Sequence, residues 1–227
     1  MEDPVWFALR NTTYATSRRY LLANSTSITF QHAEATSWLL FCNALSVIGE
    51  MIVSHSGMTA IQALTIMTFH AMGLAGLCVE YPMIKYAVQL AHAKELQRES
   101  LASWGLSSAD LLTRNWLWWT ISVIDKQMSI QSGRPSSILD DDISTPIPTT
   151  APPGSSIDVK VVTLIIRHAQ ICFRVMDRIM PVKASKQGFD RPYETIRDIQ
   201  EQLEGLLQDM PSSIDGNTTS SAALSAN

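Results

Sequence analysis

The chain has 227 residues, 46% of them hydrophobic and 17% charged, with 17 basic against 21 acidic side chains and a formal net charge of −4. This apolar share excludes disorder throughout, and a chain of this length can bury roughly 70% of the surface its unfolded form exposes, enough for a sizeable core. The acidic balance, with no stretch that gathers Lys and Arg into a patch, excludes a protein that grips a nucleic-acid backbone by its own field.

Apolar residues recur at intervals of three and four, and Pro and Gly stand where helices would begin and end. This predicts an all-α fold, a single multi-helix orthogonal bundle of about seven helices. Asp3-Pro4 sets an N-cap before a proline at the first helical position and opens a helix to about Ala23, with Val5, Leu9 and Tyr20 on its apolar face. A second helix runs from Glu34 to about Val53, with Leu39, Leu40, Ala44, Val47 and Ile48 inward. The third, Met58 to about Ala75, buries Ile61, Leu64, Met67, Ala71 and Met72 and sits centrally; its methionines serve as core filler. Tyr81-Pro82 opens a fourth, where Ile84, Ala87, Val88 and Ala91 make one stripe and Lys94, Glu95 and Arg98 mark the wet end.

Ser107-Ser108-Ala109-Asp110 has the form of a capping box and starts a fifth helix, which Gly133 ends and Pro135 keeps from resuming. Pro135, Pro146, Pro148, Pro152 and Pro153 make residues 134–156 an extended crossing segment. Ser156 caps a sixth helix, Ile157 to Met180, stopped by Pro181, with Val161, Leu164, Ile165, Ala169, Cys172 and Val175 on its apolar side. Pro192 to Met210 is an amphipathic seventh, with Ile196, Ile199, Leu203, Leu206 and Leu207 on one face. The domain therefore covers residues 1–210, and the Ser, Thr, Asn and Ala tail 211–227, with little to bury, is expected to be disordered.

The three cysteines, Cys42, Cys78 and Cys172, are sparse and apolar-flanked, as buried thiols in a reducing compartment are. The opening residues do not have the form of a secretory signal, so the chain is expected to stay inside the cell, and the sequons at Asn11, Asn24 and Asn217 are chance matches. Met51 to Val79 carries no formal charge and has the length of a membrane span, but polar interruptions such as His55, Gln62 and His70 favour a buried helical layer.

Catalytic and metal motifs are absent. His32, His55, His70, His92 and His168 form no HExxH pair, His92-x-x-Glu95 has no second copy, and there is no CxxC, GxSxG, Walker loop or GxGxxG. Gly73-Leu-Ala-Gly76 reads as a helix end or a tight packing site. Asp140-Asp141-Asp142 are consecutive on a proline-rich loop and cannot converge as helix-spaced magnesium ligands do, so they read as solvated or as helix-dipole partners.

The distinctive stretch is Arg114 to Pro148. Trp116, Trp118 and Trp119 point around most of a helix circumference, so protein should surround that helix. Asp125 falls among its apolar residues, and a buried carboxylate needs a cation or several N–H donors. Arg134, placed by the turn at Gly133, is the candidate partner.

The run of a basic residue, Leu-Trp-Trp, Ile-Asp-Lys, Gly-Arg-Pro, Asp-Asp-Ile and Pro-x-Pro resembles the signature of the fungal-specific transcription factor domain. This is the regulatory middle homology region of fungal binuclear zinc-cluster transcription factors. Gln62-Ala-Leu-Thr-Ile-Met resembles that family's central helix and Tyr86-Ala-Val-Gln-Leu-Ala91 the following one, so the best match covers residues 55–150. The motif residues are Arg114, Trp118, Trp119, Asp125, Gly133, Arg134, Pro135, Asp142 and Pro146, and their expected role is structural. In two respects the chain departs from the pattern. The usual Gly-Leu-His after the fourth helix is replaced by Ala93-Lys94-Glu95-Leu96-Gln97, and the six-cysteine cluster that reads DNA does not occur in these residues.

The resemblance implies transcription regulation in the nucleus, secondary metabolism among its settings, through conformational or partner effects. It implies no catalytic residue, no cofactor and no metal, zinc belonging only to the absent DNA-reading module. Expected partners are other transcription regulators or a second copy of the chain, with an unidentified small-molecule effector and neither direct DNA contact nor a membrane. The alternatives are a stand-alone helical protein-protein interaction module, docking through the seventh helix, and an enzyme of small-molecule biosynthesis.

Overall fold

The all-α reading holds in the structure, a computed structural model that describes residues 3–23, 29–54, 57–74, 79–178 and 190–211. Among them are eight α-helices, two single-turn 3-10 segments and no strand. The helices are α1 (Pro4–Ala23), α2 (Phe30–Ser46), α3 (Ile48–Ser54), α4 (Met58–Met72), α5 (Glu80–Ala93), α6 (Ser108–Ser132), α7 (Val159–Arg178) and α8 (Asp190–Gln208). The chain divides into two compact units, Met1–Arg98 and Glu99–Asn227. The expected stop at Pro181, Cys78, the sequons at Asn24 and Asn217 and the tail from 212 onward lie outside the described residues.

In the first unit, α1 packs on both α2 and α4, and α4 in turn on α5. Asp3 caps α1 as its sequence predicts, its Oδ1 accepting the Val5 N–H at 2.9 Å. The α1 and α2 faces that meet are small: Ala8, Thr12 and Ala15 are buried on α1, and Ala33, Ser37 and Ala44 on α2, with Phe41 the one large side chain. Small side chains let two backbones approach, and the Ser37 hydroxyl donates to Ala15 O at 2.9 Å. This choice corrects the expected inward face: Leu39 is 67% exposed and Tyr20 71%. The sequon at Asn11 is buried, its Nδ2 donating to Phe7 O at 2.9 Å.

The expected single helix over 34–53 is two. Thr29 caps α2 earlier than predicted, and the ladder breaks at Val47 (φ −105°, ψ 2°), where the Ser46 hydroxyl donates to Asn43 O at 2.7 Å. Gln31–Val53, which spans this break, is long and apolar enough to cross a membrane by length and composition. The uncharged run Met51 to Val79 is divided between α3 and α4. Gly73 caps α4, and its carbonyl accepts from the Arg19 guanidinium, which also pairs with Glu34 at 3.0 Å. A side chain at Gly73 would meet that guanidinium, which would have to shift to admit it.

His70 is buried on α4, with its ring centroid 4.6 Å from that of Phe41. His70 Nδ1 lies 3.0 Å from Thr16 Oγ1, whose hydroxyl donates to Thr12 O. Burial, and secondarily the charge of Arg19, lowers its pKa from 6.5 to about 4. The unfolded chain thus takes up a proton near pH 6.5 that the fold refuses until about 4. The associated stability is complete above the upper value and lost as pH falls to the lower one, about 3 kcal/mol in all. Urea unfolding from pH 7 to 4 should show this slope, flattened in His70→Gln; parallel profiles would contradict it.

At the end of α5, Glu95 N–H donates to His92 O at 2.9 Å and Leu96 N–H to Ala91 O at 3.0 Å, closing the turn with Glu95 at φ 53°. Left-handed backbone is strained for a residue with a Cβ, and this is the stretch where the resembled family carries glycine. Glu95→Gly is therefore expected to stabilise by about 0.5–1 kcal/mol in thermal unfolding. A lower midpoint would contradict the strain.

In the second unit, α6 packs on α7 and α7 on α8. Ser107 caps α6 as expected, accepting the Asp110 N–H at 3.1 Å and donating to Asp110 Oδ2 at 2.6 Å. Gly133 ends it in the left-handed region at φ 65°, and Arg134 N–H reaches back to Ser129 O at 3.1 Å. The cap of α7 is Asp158, which accepts the Lys160 N–H at 2.9 Å; the predicted Ser156 stands too early. On α8, Ile199 is buried and Leu206 half-buried, while Ile196, Leu203 and Leu207 are exposed.

Candidate functional site

The sequence motif converges on one place: α6 and the proline-dense segment that follows it. Trp118 is fully buried, Trp119 is 4% exposed and Trp116 half-buried. Trp119 Nε1 donates to Pro146 O and Trp116 Nε1 to Thr150 O, each at 3.0 Å. Two indoles one turn apart thereby hold the far end of the crossing segment along α6. Arg114 lies over the Trp104 ring, 5.2 Å from its centroid, a cation-π contact that the sequence did not suggest.

Nearer the helix end, Asp125 is fully buried. Its Oδ2 accepts the Ser136 hydroxyl at 2.6 Å and the Ser137 N–H at 3.0 Å, so the donors a buried carboxylate requires come from just beyond Gly133. Arg134, the predicted partner, is exposed, as is Pro135; Asp142 is exposed as well, its N–H donating to Leu139 O at 3.2 Å. Gly133 makes the turn and Pro146 the acceptor carbonyl, so the motif's glycine and this proline act through backbone.

Sequence reasoning missed Lys126. Its side chain is 1% exposed, its Nζ is 2.7 Å from Asp140 Oδ1, and it lies 3.8 Å from the centroid of Phe173 on α7. Desolvation lowers its pKa, opposed by the Asp140 carboxylate. Asp140 is thus neither merely solvated nor a helix-dipole partner. The signal lay in the pattern: Lys126 sits between Ile124 and Met128, both buried, beside the buried Asp125.

These bonds form a latch, with the segment 134–150 tied to α6 at its near end by Asp125 and Lys126 and at its far end by two indoles. Among the described residues no group of three His, Cys, Asp or Glu is placed to hold a metal ion. His92 and Glu95 stand at the end of α5, with Glu95 Oε1 3.4 Å from Arg98. Fold and latch together describe an all-α chain whose motif side chains bond largely to its own backbone.

Residues 11–182 match the model of the fungal specific transcription factor domain, and the chain belongs to that family. It is 25% identical over 219 residues to an ABC-transporter-regulating transcription factor of Aspergillus oryzae, covering 92% of this chain and 24% of that protein. The corresponding factor of Aspergillus fumigatus gives the same figures. An uncharacterized transcriptional regulatory protein of Schizosaccharomyces pombe is 28% identical over 102 residues, 43% of this chain and 13% of its own length. The chain thus spans about a quarter (24%) of the length of the first two relatives. No solved structure matches it.

Proposed function

We propose that the chain is a regulatory domain that modulates transcription in the nucleus by changing conformation or partner, and that it acts through a DNA-binding module outside these 227 residues. The observation that carries the reading is the family match over 11–182, which contains the whole latch. Control of transporter genes is the setting suggested by the Aspergillus relatives. In mechanism, a ligand or partner that favours the tied or the released arrangement of the crossing segment shifts their populations by its differential affinity. The net charge of −4 supplies no field for phosphate, so the chain contacts DNA only through another module.

The test is a reporter gene with a heterologous DNA-binding module fused to residues 1–227. Output at least fivefold above or below that of the module alone supports the reading. Output equal to the module alone, or tight sequence-specific DNA binding by the unfused chain, overturns it.

A further inference from the structure

The second unit holds an open apolar cleft of about 560 Å³ that the latch does not use, walled by α6, α7 and α8. Val123, Leu164, Ala169 and Leu206 are among the apolar side chains that line it. Two polar side chains, Gln127 and His168, stand exposed at the rim. The Cys172 thiol in the lining has its pKa raised by burial and remains neutral. The volume falls in the range of about 300–1,000 Å³ typical of small-molecule sites, which combine an apolar body with a few polar groups that orient the ligand.

We propose that this cleft binds a neutral, mainly apolar small molecule with one hydrogen-bonding end, seated with that end toward Gln127 and His168. Two observations select this occupant over a docking peptide. The lining carries no Asp, Glu, Lys or Arg. In the neighbouring groove of the α7–α8 pair, Arg167 is held by Asp209 at 2.8 Å and Arg174 donates to the Gln202 carbonyl. A helical peptide would bring charged flanks to a lining that offers no charge to meet them. A ligand gripping α6, α7 and α8 at once ties α8 to the helix that bears the latch. The cleft would then be the effector site of the regulatory domain, and to that extent this inference rests on the reading above.

Nile red, a neutral dye of this chemistry, titrated into the full 227-residue chain is the test. Saturable one-to-one binding with blue-shifted emission is expected, weakened at least tenfold by Ile165→Trp, which fills the cleft from a half-exposed position that tolerates the ring. Gln127→Leu should weaken it two- to fivefold. Far-UV circular dichroism and the unfolding midpoint of each variant show whether the fold is kept; should Ile165→Trp fail that check, Ala169→Phe takes its place. Non-saturable binding, or equal affinity in a folded cleft-filling variant, overturns the proposal. Sedimentation showing dimers that Ile165→Trp dissociates also overturns it, in favour of an interface between copies. If the dye fails while the fused reporter responds, only the cleft assignment falls; if the dye binds while the reporter is silent, the regulatory reading falls and the cleft remains a binding site.

Discussion

Trp119→Ala is expected to destabilise the domain by about 3–5 kcal/mol, a large part of the total stability of a small domain. Two losses add. The indole is 4% exposed, so its removal leaves a cavity that α6 cannot close without shifting its neighbours. Its N–H is the donor to Pro146 O, so the carbonyl loses its partner and the segment end loses an anchor. Trp119→Phe separates the terms: it keeps most of the ring and should cost about 1–2 kcal/mol, the scale of a hydrogen bond with its stranded acceptor. Denaturant unfolding measures both. A loss under about 1 kcal/mol for the alanine variant would mean that the ring is not enclosed.

Asp140→Ala is the second large effect. Lys126 is almost wholly withdrawn from water, and its ammonium has a carboxylate 2.7 Å away and an aromatic face beside it. Removing the carboxylate leaves a buried cation, which costs about 3–5 kcal/mol in a sealed site. Because Asp140 is itself 22% exposed, water offsets part of this and about 2–3 kcal/mol is expected. Lys126→Met combined with Asp140→Ala should recover most of the loss, since methionine fills the space without a charge to bury. A double variant as unstable as Asp140→Ala alone would show that the pair is not what the single substitution breaks.

What the sequence made legible was local. Asp3 and Ser107 were recognisable as caps because a cap joins a side chain to a backbone N–H two or three residues away, and Gly133 as a stop because the left-handed turn it makes needs no distant partner. The face of α2 was not legible. A reading by hydrophobic size turned Leu39 inward, whereas the neighbour α1 selects Ala33, Ser37 and Ala44 because they are small, and that neighbour is not encoded in the periodicity of α2. The break at Val47 escaped for the same reason, as apolar spacing runs through it unaltered.

The candidate site divides similarly. Trp118, Trp119 and Asp125 were identifiable as groups needing enclosure or donors, since large indoles on several sides of one helix and a carboxylate among apolar neighbours are costly to leave unpartnered. Their partners, the Pro146 carbonyl and the Ser136 and Ser137 donors, belong to a segment without periodicity, where spacing says nothing of which atom turns inward. Arg134 is selected in the sequence by its charge, a long-range property, whereas the Ser136 hydroxyl and the Ser137 N–H that reach Asp125 carry no such signal. Asp140 reads as a solvated loop carboxylate in the sequence and Lys126 carries no signal of its own; only the structure brings the two together across the turn.

The central claim is that the latch between α6 and its following segment sets regulatory output. The most direct measurement is reporter transcription driven by the fused chain carrying Trp116→Phe, which removes the partly exposed indole bond to Thr150 O and leaves the buried rings in place. The account predicts an unchanged unfolding midpoint within about 3 °C and reporter output altered at least twofold. An unaltered output from Trp116→Phe, and likewise from a folded Trp119→Phe, would contradict it.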